Sequence, residues 1–191
     1  MILGDGKVEY ITFDDIGELV RLHEVYLNYG DGIRPHFEEI LHNPNNIALK
    51  YTVSGEMAGL FIYTKGIALS GNHDETAERI KKLCEGRKVY TGDAVLVKSE
   101  YRKLGVAGKL CAAMIGELRR CGAQLAVHEF WVHPNGFIPA QRMFSVFTKN
   151  TFIGRFEKFY RDFHHFGYLC PICGKDCICA AEIYLAEIPE I

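Results

Sequence analysis

Apolar and polar residues alternate along residues 7–13 as in a strand, and the period then lengthens. Ile16, Leu19, Val20, His23 and Tyr26 share one helical face, with Asp15 and Glu18 at capping-pair spacing at its start. Residues 28–32 end that helix, and a short amphipathic stretch over residues 35–41 opens on Pro35, which a first turn tolerates. Ile47, Leu49, Tyr51 and Val53 alternate strictly, Ser54-Gly55 supplies a turn, and residues 57–65 return as the second strand of a hairpin. A joint at residues 66–71 follows. Asn72 and Glu75 then cap a helix that carries Ala77, Ile80, Leu83 and Cys84 and stops at Gly86. The strand predicted over residues 89–97 leads through Ser99-Glu100-Tyr101-Arg102 into a long helix marked by Leu104, Ala107, Leu110, Cys111, Met114, Leu118 and Cys121. A strand over residues 123–132, a short helix over 139–147 and a final strand over 178–188 complete the pattern. Between them, Phe152, Phe156, Phe159 and Phe163 keep helical spacing, while Phe152, Gly154, Phe156 and Lys158 fit a strand, so both readings stay open.

This order predicts a mixed α/β fold, with a mainly antiparallel central sheet, helices on both faces and a late crossover. A length of 191 residues fits one domain over 1–191, with an inserted helix at about residues 66–88 and a cysteine-rich knuckle at about 167–180. Usage is ordinary for a globular chain, with 48% hydrophobic and 24% charged residues. A net charge of −2 with interspersed signs leaves no basic stripe for nucleic acid and no polybasic membrane anchor. Asp5, Lys7 and Glu9 stand where a signal peptide needs an apolar run, and no segment approaches the ~18 apolar residues of a spanning helix. A soluble, cytoplasmic chain is the expectation. The odd count of seven cysteines agrees with it, since it points to reduced thiols and not to a disulfide framework.

The most informative stretch is Val97-Lys98-Ser99-Glu100-Tyr101-Arg102-Lys103-Leu104-Gly105-Val106-Ala107-Gly108-Lys109-Leu110. A strand ends, small residues follow, and a helix begins. Amides at a helix N-terminus lack intrahelical partners and carry partial positive charge, which makes them an anion site. Gly105 and Ala107 keep bulk away from those amides, and Arg102, Lys103 and Lys109 add positive charge. A plain strand-to-helix turn with a basic rim would have the same spacing. What separates the two is that Arg102-Lys103-Leu104-Gly105-Val106-Ala107 resembles the Gln/Arg-x-x-Gly-x-Gly/Ala signature of the GNAT superfamily of acyl-CoA-dependent N-acyltransferases. The hydrophobic strand before it, the long helix after it and the element order over roughly residues 8–150 resemble that family too.

The resemblance implies an enzyme of that type, with acetyl-CoA as cosubstrate and an amine of a small molecule or protein as acceptor. It implies that Val95 and Val97 take the pantetheine, and that Arg102, Lys103, Gly105, Val106 and Ala107 take the pyrophosphate. Strand 123–132 would splay from strand 89–97 to open the slot, and Asn135 would stand at the family's asparagine position beside the cofactor. A homodimer is compatible with it; neither nucleic acid nor membrane is an expected partner. The family's proton-donating tyrosine has no equivalent here. Phe144 takes its place in one register, and Phe163 in another that leaves residues 134–150 as a long loop. Tyr160 lies nearby and is the candidate acid. For the base, alternation puts Val89, Thr91, Asp93, Val95 and Val97 on one face, and Asp93 is the carboxylate among them. A bulge closed with Gly92, or a pair with a surface lysine, is the other reading of Asp93, and Glu129 and His128 are alternative bases. His133, before Pro134, reads as structural.

Cys170-Pro171-Ile172-Cys173-Gly174 has the form of a zinc knuckle, and Cys177-Ile178-Cys179 puts two more thiols on one face if it is a strand. Four thiolates make a soft tetrahedral site whose common occupant is structural Zn²⁺, with no open position for catalysis. Free thiols, or two or three of these cysteines completed by His164 or His165, are the other readings. Two rival functions follow: a non-catalytic acyl-CoA sensor, from the missing tyrosine, and a zinc-dependent interaction module, from the knuckle.

Overall fold

The alternating segments assemble into one seven-stranded sheet whose central strands are buried on both faces. The computed structural model describes residues 6–27, 32–70, 74–140, 146–147 and 149–189. The strands are β1 (Gly6–Tyr10), β2 (Ile47–Val53), β3 (Glu56–Lys65), β4 (Val89–Val97), β5 (Leu125–Val132), β6 (Lys149–Phe156) and β7 (Ala180–Glu187), in the spatial order β1-β2-β3-β4-β5-β7-β6. Every neighbouring pair is antiparallel except β4 and β5, which are joined by the crossover helix α4 (Val106–Arg120). The other helices are α1 (Ile16–Tyr26), α2 (Ile33–His42) and α3 (Asp74–Leu83), the last in the predicted insertion.

The period-2 pattern explains the layers. Leu49, Tyr51, Phe61 and Tyr63 face α4, which returns Val106, Leu110, Met114 and Leu118 into the same core. Ala48, Leu60, Ile62 and Leu96 face the other way, against Leu19 and Leu22 of α1 and Phe37 and Ile40 of α2. A fully buried Leu such as Leu110 contributes roughly 1.5–3 kcal/mol. Beside α1 and α2, the inserted helix seats Ile80 against Val89, Leu125, Val127 and Leu185. It is therefore anchored in a core of its own, and Arg79 ties it to the Ile153 carbonyl at 2.9 Å.

Several local expectations change. Asp15 is the N-cap residue of α1, but neither it nor Glu18 makes a side-chain cap bond there. Asp15 takes the Thr12 amide and the Lys50 ammonium, and Glu18 pairs with Arg21 and the buried Lys98. Those two cations hold the Glu18 carboxyl down at about 2, the Arg21 hydrogen bond first. The phenylalanine ambiguity resolves into strand β6 followed by 3-10 turns over Phe159–Phe166. The proposed helix over 139–147 and Phe144 lie largely outside the described residues, as does Asn72. Alternation along β4 is broken: Ile62 pairs with Ala94 and Tyr63 with Gly92, so Asp93 is the extra residue of a bulge. The extra residue shifts the phase, sending Val95 and Val97 to the α4 face while Asp93 turns toward α2. Cys177 to Cys179 lie just ahead of β7 and not within it.

Candidate active site

The β4–β5 pairing is short. Val89 faces Leu125, Tyr90 faces Ala126 and Thr91 faces Val127, and beyond that point the two strands separate. The bulge at Asp93 bends β4 just where the ladder ends. A cavity of about 190 Å³ opens there, lined among others by Asp93, Val95, His128, Glu129, Trp131 and Tyr160.

At the far end of β4 the chain turns through Ser99–Tyr101 into α4. Lys103 (φ 63°) and Gly105 (φ 86°) both adopt left-handed backbone, and Gly105 is the N-cap residue. The first intrahelical bond at this end runs from the Lys109 amide to the Gly105 carbonyl at 3.1 Å. The helix has no side-chain cap and no acidic residue in its first turn. A Cβ added at Gly105 or Gly108 would meet nothing within 4 Å, so the loop's main chain is open to a ligand. Amides, dipole and free approach together make an anion cradle. Arg102 braces the loop, its Nε donating to the Val97 carbonyl at 3.1 Å and its guanidinium lying over Tyr26. Lys109 is turned to the Tyr51 hydroxyl at 2.7 Å, while Lys103 is exposed.

At the splayed end two carboxylates share the cleft. Asp93 Oδ1 accepts from His36 Nε2 of α2 at 2.9 Å, which raises the imidazole above its ordinary value of 6.5. Glu129, two residues beyond Val127 where the β4–β5 ladder ends, accepts from the Ser70 amide at 3.0 Å. Burial lifts its carboxyl from 4.5 to about 7, against the Ser70 hydrogen bond and with help from the Asp93 charge. A group of that pKa is poised to take protons at neutral pH. His128 points to the opposite face, where burial pushes it down to about 3 and Nε2 meets the Tyr63 hydroxyl. It is a neutral core imidazole. His133 is also pushed down by burial and stacks edge-on with Trp131 and Phe137.

Tyr160 and Tyr168 are the phenols lining the cleft. Asn135 closes the turn after β5, its Oδ1 accepting from the Phe137 amide at 3.0 Å. The structure thus brings Asp93, Val95 and Tyr160 to one cavity and leaves Arg102, Lys103, Gly105, Val106 and Ala107 on the adjoining loop. Sequence reasoning did not single out His36, Ser70 or Tyr168. Ser70 and Tyr168 line the cleft and His36 reaches it only through Asp93, and no local pattern marks any of the three.

The four cysteines converge. Sulfur separations are 3.6 Å for Cys170–Cys173, 3.8 Å for Cys170–Cys179, 3.7 Å for Cys173–Cys177 and 3.5 Å for Cys173–Cys179. All four sulfurs lie within 4.8 Å of one another. A zinc–sulfur bond of about 2.3 Å gives a tetrahedral edge of about 3.8 Å, so the set has the dimensions of a Zn–S₄ site. Burial pushes the thiols of Cys177 and Cys179 up, the latter to about 12, and a divalent ion is what would hold such buried sulfurs as thiolates. The Ile178 amide already donates to the Cys173 sulfur.

Neither a protein-family model nor a curated protein matches the chain. Solved structures do. Arabidopsis thaliana NAA60 in complex with a bisubstrate analogue superposes with a TM-score of 0.67 at 14% identity, over 94% of this chain and 96% of that one. The ribosomal-protein-S18-alanine N-acetyltransferase of Escherichia coli gives 0.64 at 14%, over 97% and 96%. An aminoglycoside 6′-N-acetyltransferase complexed with coenzyme A gives 0.64 at 12%, over 97% and 98%. The chain has the fold of the GNAT acetyltransferases, and the likeness spans nearly the whole of both partners.

Proposed function

We propose that this chain is a GNAT-type N-acyltransferase that moves an acetyl or related acyl group from CoA to an amine. The observation that carries the reading is the β4–β5 splay, with an open, uncapped helix N-terminus at one end and a carboxyl of pKa about 7 at the other. Diphosphate chemistry fits the amides at Gly105, Val106 and Ala107 with Arg102 and Lys103 beside them. The β4 edge carrying Val95 and Val97 suits an extended amide-bearing arm, and Asn135, in the turn after β5, is a further candidate contact. Structural neighbours complexed with acetyl-CoA or coenzyme A support the same ligand.

Glu129 is the base best supported by its setting. It takes the proton from the acceptor ammonium, directly or through water, and the freed nitrogen attacks the thioester carbonyl carbon. A tetrahedral adduct forms whose nitrogen carries one surplus proton. As the C–S bond breaks Tyr160 gives its proton to the departing thiolate, and the surplus proton, passed through water, restores the phenol. Asp93, paired with His36, adds negative charge that draws a cationic amine into the cleft. Asp93 remains the second candidate for the base. The four cysteines support one structural zinc, held by Cys170, Cys173, Cys177 and Cys179, and free thiols of this kind suit the reducing cytoplasm. No described helix is long and apolar enough to cross a membrane.

Calorimetric titration with acetyl-CoA, followed by thiol release against a panel of primary amines, tests the reading. Saturable acetyl-CoA binding with amine-dependent CoA release is the expected result. Binding without release by any amine would favour an acyl-CoA sensor, and no binding would remove the proposal.

A further inference from the structure

The rings that wall the acceptor end of the cleft belong to the same buried cluster as the four cysteines. Trp131, Tyr160 and Tyr168 line the cleft. Tyr168, Cys170, Cys177 and Cys179 form a small core of their own, against which Trp131, Tyr160, Phe163 and Cys173 pack. Trp131 meets Tyr160 edge-on at 6.3 Å, and Tyr160 meets Tyr168 at 6.1 Å. The Phe159 amide donates to the Cys179 carbonyl at 3.0 Å, rooting the ring-bearing turns on a cysteine. Ala181, just beyond Cys179, pairs with Trp131 across the β5–β7 ladder.

Among the described residues this cluster is made of rings and thiols, without an aliphatic side chain. So small a satellite core buries little apolar area with which to fix residues 170–179. Four thiols supply no cross-link, whereas a bound ion ties residues 170–179 at four points. One atom points the same way. The Trp131 indole Nε1 is buried with no hydrogen-bond partner among the described residues, on a ring that packs against the cluster holding Cys179. A metal-bound thiolate at Cys179 is the acceptor it lacks. The Arg102–Ala107 loop shares no residue with the cluster, since Val106 and Leu110 of its helix pack into the separate core under β2 and β3.

We propose that a metal ion on Cys170, Cys173, Cys177 and Cys179 is the support of the aromatic wall of the acceptor cleft, so that metal loading shapes the acceptor side and leaves acyl-CoA binding alone. The proposal rests on the acyltransferase reading for the meaning of the cleft, but the wall can be read without turnover. Trp131 is the only tryptophan in the chain, so its emission reports the wall directly.

The test compares zinc-loaded protein, protein stripped with a chelator, stripped protein given Zn²⁺ again, and the Cys173→Ser variant. Stripping should shift Trp131 emission to the red and increase its quenching by acrylamide. Amide exchange over residues 159–170 should speed up by at least about tenfold, as local opening without global unfolding does. Zinc should reverse these changes, Cys173→Ser should reproduce them, and acetyl-CoA affinity should stay within about threefold throughout, because nothing at its loop has altered. Emission and exchange that ignore metal removal would overturn the proposal, as would a protein that takes up no zinc when offered it. Loss of acetyl-CoA binding together with the far-ultraviolet dichroism on stripping would also overturn it, since the knuckle would then hold up the whole domain. Failure of the acyltransferase reading looks different: acetyl-CoA binds in neither metal state while Trp131 still answers to zinc.

Discussion

Glu129→Gln removes a charge from a half-buried carboxyl while keeping a carbonyl oxygen for the Ser70 amide. The parent carboxyl rises from 4.5 to about 7, mainly through burial. Because the folded state holds this proton more tightly than the unfolded chain, ionising it costs stability. The cost is absent below about 4.5, grows as pH rises toward 7 and is constant above, where it reaches about 3 kcal/mol at 1.36 kcal/mol per pKa unit. The glutamine variant carries no such cost. Urea denaturation of both proteins should therefore give nearly equal stability at pH 4.5 and a more stable variant at pH 8, by about 3 kcal/mol at most. His36 also makes the protein less stable as pH rises, so the parent's own pH profile mixes two groups, and the difference between parent and variant isolates Glu129. The same substitution should lower kcat by about 10²–10⁴ with any acceptor found and abolish the rise in rate through pH 7. Parent and variant curves that stay parallel from pH 4.5 to pH 8 would refute the raised pKa, and with it the base assigned here.

Other perturbations separate the remaining parts. Gly105→Val puts a β-branched side chain at φ 86° in the open cradle, and should cost roughly 1–2 kcal/mol of stability and at least about tenfold in acetyl-CoA affinity by calorimetry. Parent-like affinity would move the ligand site elsewhere. His36 owes its raised pKa to the Asp93 hydrogen bond, so its contribution to stability is full below 6.5 and lost as pH rises through the folded value. His36→Gln should accordingly destabilise the protein at pH 5.5 and change little at pH 9 in the same urea assay. Asp93→Asn and Tyr160→Phe should each slow turnover less than Glu129→Gln does while acetyl-CoA affinity stays unchanged. A larger loss for Asp93→Asn would return the base to that residue.

Local physics made much of this molecule readable in one dimension. Alternation at Ile47, Leu49, Tyr51 and Val53 gave a strand because every second side chain must reach the α4 core, and Gly105, read as a small residue at a helix start, stands at the α4 N-cap. The open loop ahead of α4 and the four-cysteine spacing were legible for the same reason: the groups that act together are neighbours in sequence. Interactions between distant segments decided the rest. One extra residue opposite the Ile62–Tyr63 step turned Asp93 toward His36 and moved Val95 and Val97 to the other face; Gly92-Asp93 offered a bulge as one of several readings, and only pairing with β3 decided for it. Glu129 stood only as an alternative to Asp93 until the 66–70 joint covered it and β5 parted from β4, because a pKa is set by the solvent and charge around a group. The packing of Trp131, Tyr160 and Tyr168 on the cysteine sulfurs likewise appeared only once β7 drew residues 159–179 against β5, since a shared core between remote segments is a property of the folded chain alone.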